Sequence, residues 1–153
     1  DRGILICGTG IGVSIAAKRL TYELILEAGE FGINFVPMSK AEVVAAVGGS
    51  SGRLVDKFDK FGLQKDEALK TSQPILKDAY AAYECRLVDQ RTYGDHVWVV
   101  GEVLATHYDD EIFTTQGLVM ERFSPALYLG GEKYTTVAGD VPQLLDREVY
   151  GKG

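Results

Sequence analysis

The stretch "AAYECRLVDQRTYGDHVWVVGEVLATH", residues 81–107, decides the fold. Two β-rich runs flank the turn signal Tyr93-Gly94-Asp95, so the segment predicts a long antiparallel hairpin. Tyr83, Cys85 and Leu87 alternate with Glu84 and Arg86, which predicts one dry face and one wet face, with Glu84 in water. Downstream, "ALYLGG" and "KYTTVA" read as two short strands around a glycine turn. The tail "GDVPQLLDREVYGKG" is polar and is expected to wrap the surface.

Upstream of the hairpin the pattern changes to strands alternating with helices. "TYELILEAGEFGINFVP" (21–37) begins with a capping signal at Thr21, repeats Leu24, Ile25 and Ala28 at helical spacing, and stops at Gly29. Phe31, Ile33 and Phe35 then alternate toward Pro37 as a strand. Ser39 can cap a second helix through "KAEVVAAVG", closed by Gly48-Gly49. After the loop "GGSSGR", a third helix is expected over "LVDKFDKFG", with Leu54, Phe58 and Phe61 on one side and Gly62 at its end. Helices among strands followed by a meander predict an α+β domain, mainly antiparallel, with a barrel-like sheet.

Composition bounds the partners. The 153 residues are 46% hydrophobic and 25% charged, as in an ordinary globular domain. A net charge of −6 disfavours a nucleic-acid binder but leaves room for a small anionic ligand held by a few local cations. No apolar run approaches the length of a membrane span, and no signal-peptide pattern opens the chain. Cys7 and Cys85 have no metal-ligand spacing, so reduced thiols, no metal site and a cytoplasmic location are expected.

The opening "DRGILICGTGIGVSIAAK" (1–18) resembles sugar-phosphate isomerases of the ribose-5-phosphate isomerase B type, through Cys7-Gly8-Thr9-Gly10. That resemblance implies a cysteine base, backbone amides holding an oxyanion, and a parallel, doubly wound sheet starting at Ile4. It covers only the first 18 residues or so. A longer resemblance runs through "GVSIAAKRLTYELILEAGEFGINFVP", "SGRLVDKFDKFGL", the 81–107 stretch and "PALYLGGEKYTTVA". Together these are similar to the flavin reductase-like, FMN-binding split-barrel proteins over about residues 12–137.

The second resemblance implies one split-barrel domain over 1–153, with peripheral helices, an atypical segment at 1–11 and a tail at 138–153. It further implies that the family's first strands are missing or replaced by residues 4–7. FMN is the implied cofactor, NAD(P)H the implied electron donor and a homodimer the implied assembly, with the electron acceptor left open. A module that has lost catalytic competence, and the isomerase, are the alternatives.

Residue by residue, the resemblance assigns Ser14, Lys18, Arg19 and Thr21 to the FMN phosphate at a strand end entering a helix, where helix amides favour anions. Read alone, Thr21 also fits a plain N-cap and Lys18-Arg19 a solvated pair. Ser51, Gly52 and Lys57 form the implied second arm, although Lys57 also fits a surface pair with Asp56 or Asp59. His96 matches the family's "GDH" and is the implied catalytic residue at the flavin ring or a nicotinamide. Tyr134 covers a flavin face or packs in the barrel. Trp98 reads as core, His107 as a surface residue and Cys7 as a strand-end residue.

Overall fold

The computed structural model describes residues 4–7, 10–16, 19–114 and 117–137. Strands β1 (Ile4–Cys7) and β2 (Gly10–Ala16) lead into helix α1 (Leu20–Ala28) and strand β3 (Glu30–Phe35). A 3₁₀ turn at Met38–Lys40 precedes α2 (Ala41–Gly49) and α3 (Lys57–Phe61), and the short strands β4 (Lys65–Asp66) and β5 (Ile75–Leu76) follow. The long hairpin is β6 (Ala81–Tyr93) with β7 (His96–Tyr108). Short pieces β8 (Phe113–Thr114), β9 (Gly117–Leu118), β10 (Leu127–Gly130) and β11 (Lys133–Thr135) complete it.

The main sheet is antiparallel with strand order β1-β2-β7-β6-β3. The hairpin turn places Gly94 at φ +60°, a conformation that glycine reaches without a Cβ clash, as expected at the first central position of a two-residue turn. Two bulges interrupt the β6–β7 register, between Glu84 and Cys85 and between Leu87 and Asp89, which bends and twists the hairpin. Residues 4–7 run antiparallel to β2, with Cys7 opposite Gly10. An isomerase of the kind expected from the opening residues needs a parallel sheet there, so the isomerase reading falls.

The core lies where α1 covers one face of this sheet. Ile25, Phe31, Cys85, Val97 and Val99 are buried together, with Val13, Ile15 and Leu87 packed against them. Gly101 belongs to the same face: a Cβ there would lie 2.5 Å from Cζ of Phe31, so only glycine leaves space for that ring. Trp98 does not join this cluster. It alternates with Val97 and Val99 and pairs with Ser14 on the opposite face, which corrects the expectation of a core tryptophan.

The helices differ from their sequence expectations at their starts. The N-cap of α1 is Arg19, with no side-chain cap, so Thr21 stands inside the first turn instead of capping it. Ser39 lies within the 3₁₀ turn, and Lys40 holds the cap position of α2. Helix α3 starts only at Lys57, because the Asp56 carboxylate accepts the N–H groups of Phe58 and Asp59 and fixes the entry there. Leu54 is left outside the helix and exposed. Both Gly29 (φ +68°) and Gly62 (φ +61°) end their helices as expected.

Candidate functional site

The junction of β2 and α1 gathers most of the expected site residues. Ser14 lies opposite Trp98, and Ala16 lies opposite His96, so His96 stands at the end of β2 from which the chain enters α1. Arg19 and Thr21 follow at the start of that helix and are exposed. Unpaired N–H groups and the helix dipole make such a start favourable to an anion.

The 50–53 loop closes against the same helix start. A Cβ at Gly52 would approach Cδ2 of Leu20 at 3.1 Å and Cε of Lys57 at 3.9 Å. Glycine thus lets the loop backbone come close to α1 and α3 together. Arg53, which sequence reasoning passed over, ties the loop to α1 through an ion pair with Glu23. Ser51 shapes the loop: its hydroxyl accepts the Arg53 N–H at 3.3 Å, and its carbonyl accepts the N–H groups of Leu54 and Val55. Lys57 donates from Nζ to the Val47 carbonyl at 2.7 Å, which holds its ammonium at the C-terminal end of α2. The neighbouring Asp56 carboxylate caps α3 by accepting the N–H groups of Phe58 and Asp59.

His96 is the other polar focus. Its Nδ1 lies 2.8 Å from the Asp95 carboxylate. An ionised carboxylate only accepts, so Nδ1 is the donor of this pair. The same hydrogen bond holds the Asp95 carboxyl below the usual range. Nε2 is buried and has no hydrogen-bond partner among the described residues. A buried polar atom without a partner is costly unless a ligand or solvent satisfies it.

Tyr134 lies on the two-stranded β10–β11 sheet, where its ring packs against Tyr128 at 5.2 Å. Lys18 lies outside the described residues, as does the 138–153 tail.

Glu84 and His107 were misread from sequence. Glu84 is fully buried, not wet, and His107 is its partner, not a free surface residue. The carboxylate accepts the N–H groups of Leu69 (2.7 Å), Lys70 (2.9 Å) and Thr71 (2.6 Å), the Thr71 hydroxyl (2.9 Å) and pairs with His107 Nε2 (2.6 Å). Burial pushes its pKa up, but the His107, backbone and Thr71 hydrogen bonds outweigh that and hold it at about 2. Glu30 grips the next residues of the same loop through the N–H and hydroxyl of Ser72. These two carboxylates clamp the loop onto the sheet. An acidic residue within an apolar strand was the available signal, but alternation assigned it to solvent.

Among the described residues no helix is long and apolar enough to cross a membrane, and no group of acidic, cysteine or histidine side chains is arranged to hold a metal.

Comparison with known proteins agrees with this architecture. An uncharacterized protein of Pyrococcus abyssi is 36% identical over 103 residues, covering 67% of this chain and 59% of the relative. The chain thus spans about three fifths of the length of that relative. The crystal structure of an FMN-binding protein from Thermus thermophilus with bound 1-cyclohex-2-enone superposes with a TM-score of 0.78 at 32% identity, covering 94% of this chain and 78% of that one. Flavoredoxin of Desulfovibrio vulgaris (Miyazaki F) gives 0.82 at 22% identity over 95% of this chain and 80% of that one, a likeness of fold. The flavin reductase like domain model matches residues 9–137, and its span takes in Thr9 and Gly10 of the isomerase-like opening. A mainly antiparallel split barrel matched over nearly all its described length establishes that this chain belongs to the flavin reductase-like family.

Proposed function

We propose that this chain binds FMN without a covalent link and works as an NAD(P)H-dependent flavin reductase or a flavoredoxin-like electron carrier. One observation carries the reading: the start of α1 and Lys57 both approach the loop at Gly52, where a Cβ would crowd Leu20. In this reading Ser14, Arg19, Thr21, Ser51, Gly52 and Lys57 hold the phosphate, Lys18 adds a further cation, and Tyr134 covers a ring face. The unpartnered Nε2 of His96 supplies a hydrogen-bonding position at the ring edge. When bound, FMN would supply the redox chemistry between a nicotinamide donor and a second acceptor. The protein's part is to anchor, orient and shield. FMN released on denaturing the purified protein, with flavin absorbance, is the expected result. A colourless protein that fails to take up added FMN would leave only a binding module without competence.

Lys57→Ala is expected to weaken FMN binding by about 1.5–3 kcal/mol, the scale of a charge-assisted hydrogen bond. Titration with riboflavin, which lacks the phosphate, should show nearly equal affinity for wild type and variant. Loss of both ligands would mean that the bond to Val47 is structural and that the fold has suffered.

His96→Ala is expected to retain the fold, weaken FMN modestly, and slow NAD(P)H-driven reduction more than it weakens binding. Stopped-flow reduction of protein saturated with FMN reads this directly. Equal rates would make His96 a structural strand-end residue.

We also infer a homodimer in the cytoplasm. Among the described residues β3 pairs only with Ala81–Arg86 of β6, and beyond that stretch Val88 and Tyr93 are exposed, as are Leu127, Tyr128 and Leu129 on β10. Apolar side chains beside an incompletely paired strand favour association. Light scattering at micromolar concentration is expected to give twice the chain mass, and a stable monomer would reject the inference.

A further inference from the structure

A concavity lies away from the α1 junction, past the other end of β7. His96 begins that strand, whereas this cleft is lined after its end by Asp109 and Ile112. Its volume is about 660 Å³, within the range of small-molecule sites. None of the described residues assigned above to FMN lines it.

The lining indicates what would fit. Tyr80 and Phe123 form an aromatic wall with ring centroids 4.5 Å apart, backed by Phe113 stacked on Tyr80 at 6.3 Å. The charges around it are largely committed to each other. Asp78 pairs with Lys40 at 2.9 Å, Arg122 bonds the Glu111 carbonyl and faces its carboxylate at 3.8 Å, and Asp109 accepts the Glu111 N–H. Lys77 and Glu121 have opposite signs, so the lining keeps a single surplus negative charge, on Asp109, which disfavours an anion. One polar atom is unused: Thr136 lines the cleft, and its hydroxyl is buried with no hydrogen-bond partner among the described residues.

We propose that this cleft binds a small, neutral aromatic molecule bearing a hydroxyl or carbonyl oxygen, its ring against Tyr80 and Phe123 and its oxygen on the Thr136 hydroxyl. Aromatic packing supplies most of the affinity, and the buried hydroxyl selects the oxygen, because an oxygen-free ring leaves it unsatisfied. The site stands independently of the FMN reading.

The test uses the full chain with phenol and toluene as probes, followed by NMR shifts of Tyr80, Phe123 and Thr136. Wild type is expected to bind phenol about tenfold more tightly than toluene, the ratio corresponding to one net hydrogen bond. Thr136→Val, nearly the same shape, should remove that preference while leaving toluene binding intact. Ala79→Leu, which places bulk in the cleft, should weaken both probes, with thermal melting used to verify that each variant is folded. Phenol binding should be the same with and without saturating FMN. No shifts with either probe, no phenol preference, or a preference retained in Thr136→Val would overturn the proposal. Displacement of phenol by FMN would also overturn it, by making the cleft part of the flavin site.

Discussion

Glu84→Ala is expected to cost about 3–5 kcal/mol of stability in urea denaturation, the scale of breaking a buried charged network. Removing the carboxylate leaves the N–H groups of Leu69, Lys70 and Thr71, the Thr71 hydroxyl and His107 facing a void with no acceptor. Glu84→Gln keeps the shape and one accepting oxygen but turns an NH₂ donor toward other donors, so an intermediate loss is expected. The acid limb offers an independent check. Folding lowers the Glu84 pKa from its ordinary 4.5 to about 2. A lowered carboxylate stabilises fully above its unfolded value and loses that contribution as pH falls through the folded one. The stability gap between wild type and Glu84→Ala should therefore narrow from pH 4.5 toward pH 2. A gap that stays constant across that window would show that the carboxylate charge is not what holds the loop.

Gly101→Ala is expected to destabilise by about 3 kcal/mol, at the upper end of overpacking effects. The new Cβ would meet Phe31 at 2.5 Å and 2.9 Å and the Cβ of Cys85 at 3.0 Å. Phe31 and Cys85 are both buried, so neither has solvent to move into. Phe31→Leu removes the ring atoms that clash. The double variant should therefore lose clearly less than the sum of the two single losses, because the sites share one contact. Additive losses in thermal or chemical denaturation would locate the constraint elsewhere in β7.

Several elements were legible because their causes are local. The hairpin over 81–107 needed only two β-rich runs and a glycine turn, and β6 and β7 follow it with Gly94 at positive φ. Gly29 and Gly62 ended their helices for the same local reason. Helix starts were less legible, since Ser39, Thr21 and Asp56 are all good caps by type, and only Asp56 caps its helix. Which candidate is used depends on where the preceding loop delivers the chain.

The sequence by itself determined the antiparallel class, the long hairpin, the residue types suited to an anion at the start of α1, and the likeness to a flavin-binding family. Tertiary structure alone decided that Ile4–Cys7 folds back on β2 instead of opening a parallel sheet. It also decided that Gly52 meets Leu20 and Lys57, and that Glu84 is buried. The physical reason is shared. Alternation reports which side of a strand a residue occupies, but not what covers that side. Residues 69–71, more than ten positions away in sequence, cover the face assigned to water and supply the hydrogen bonds that make a buried carboxylate stable there.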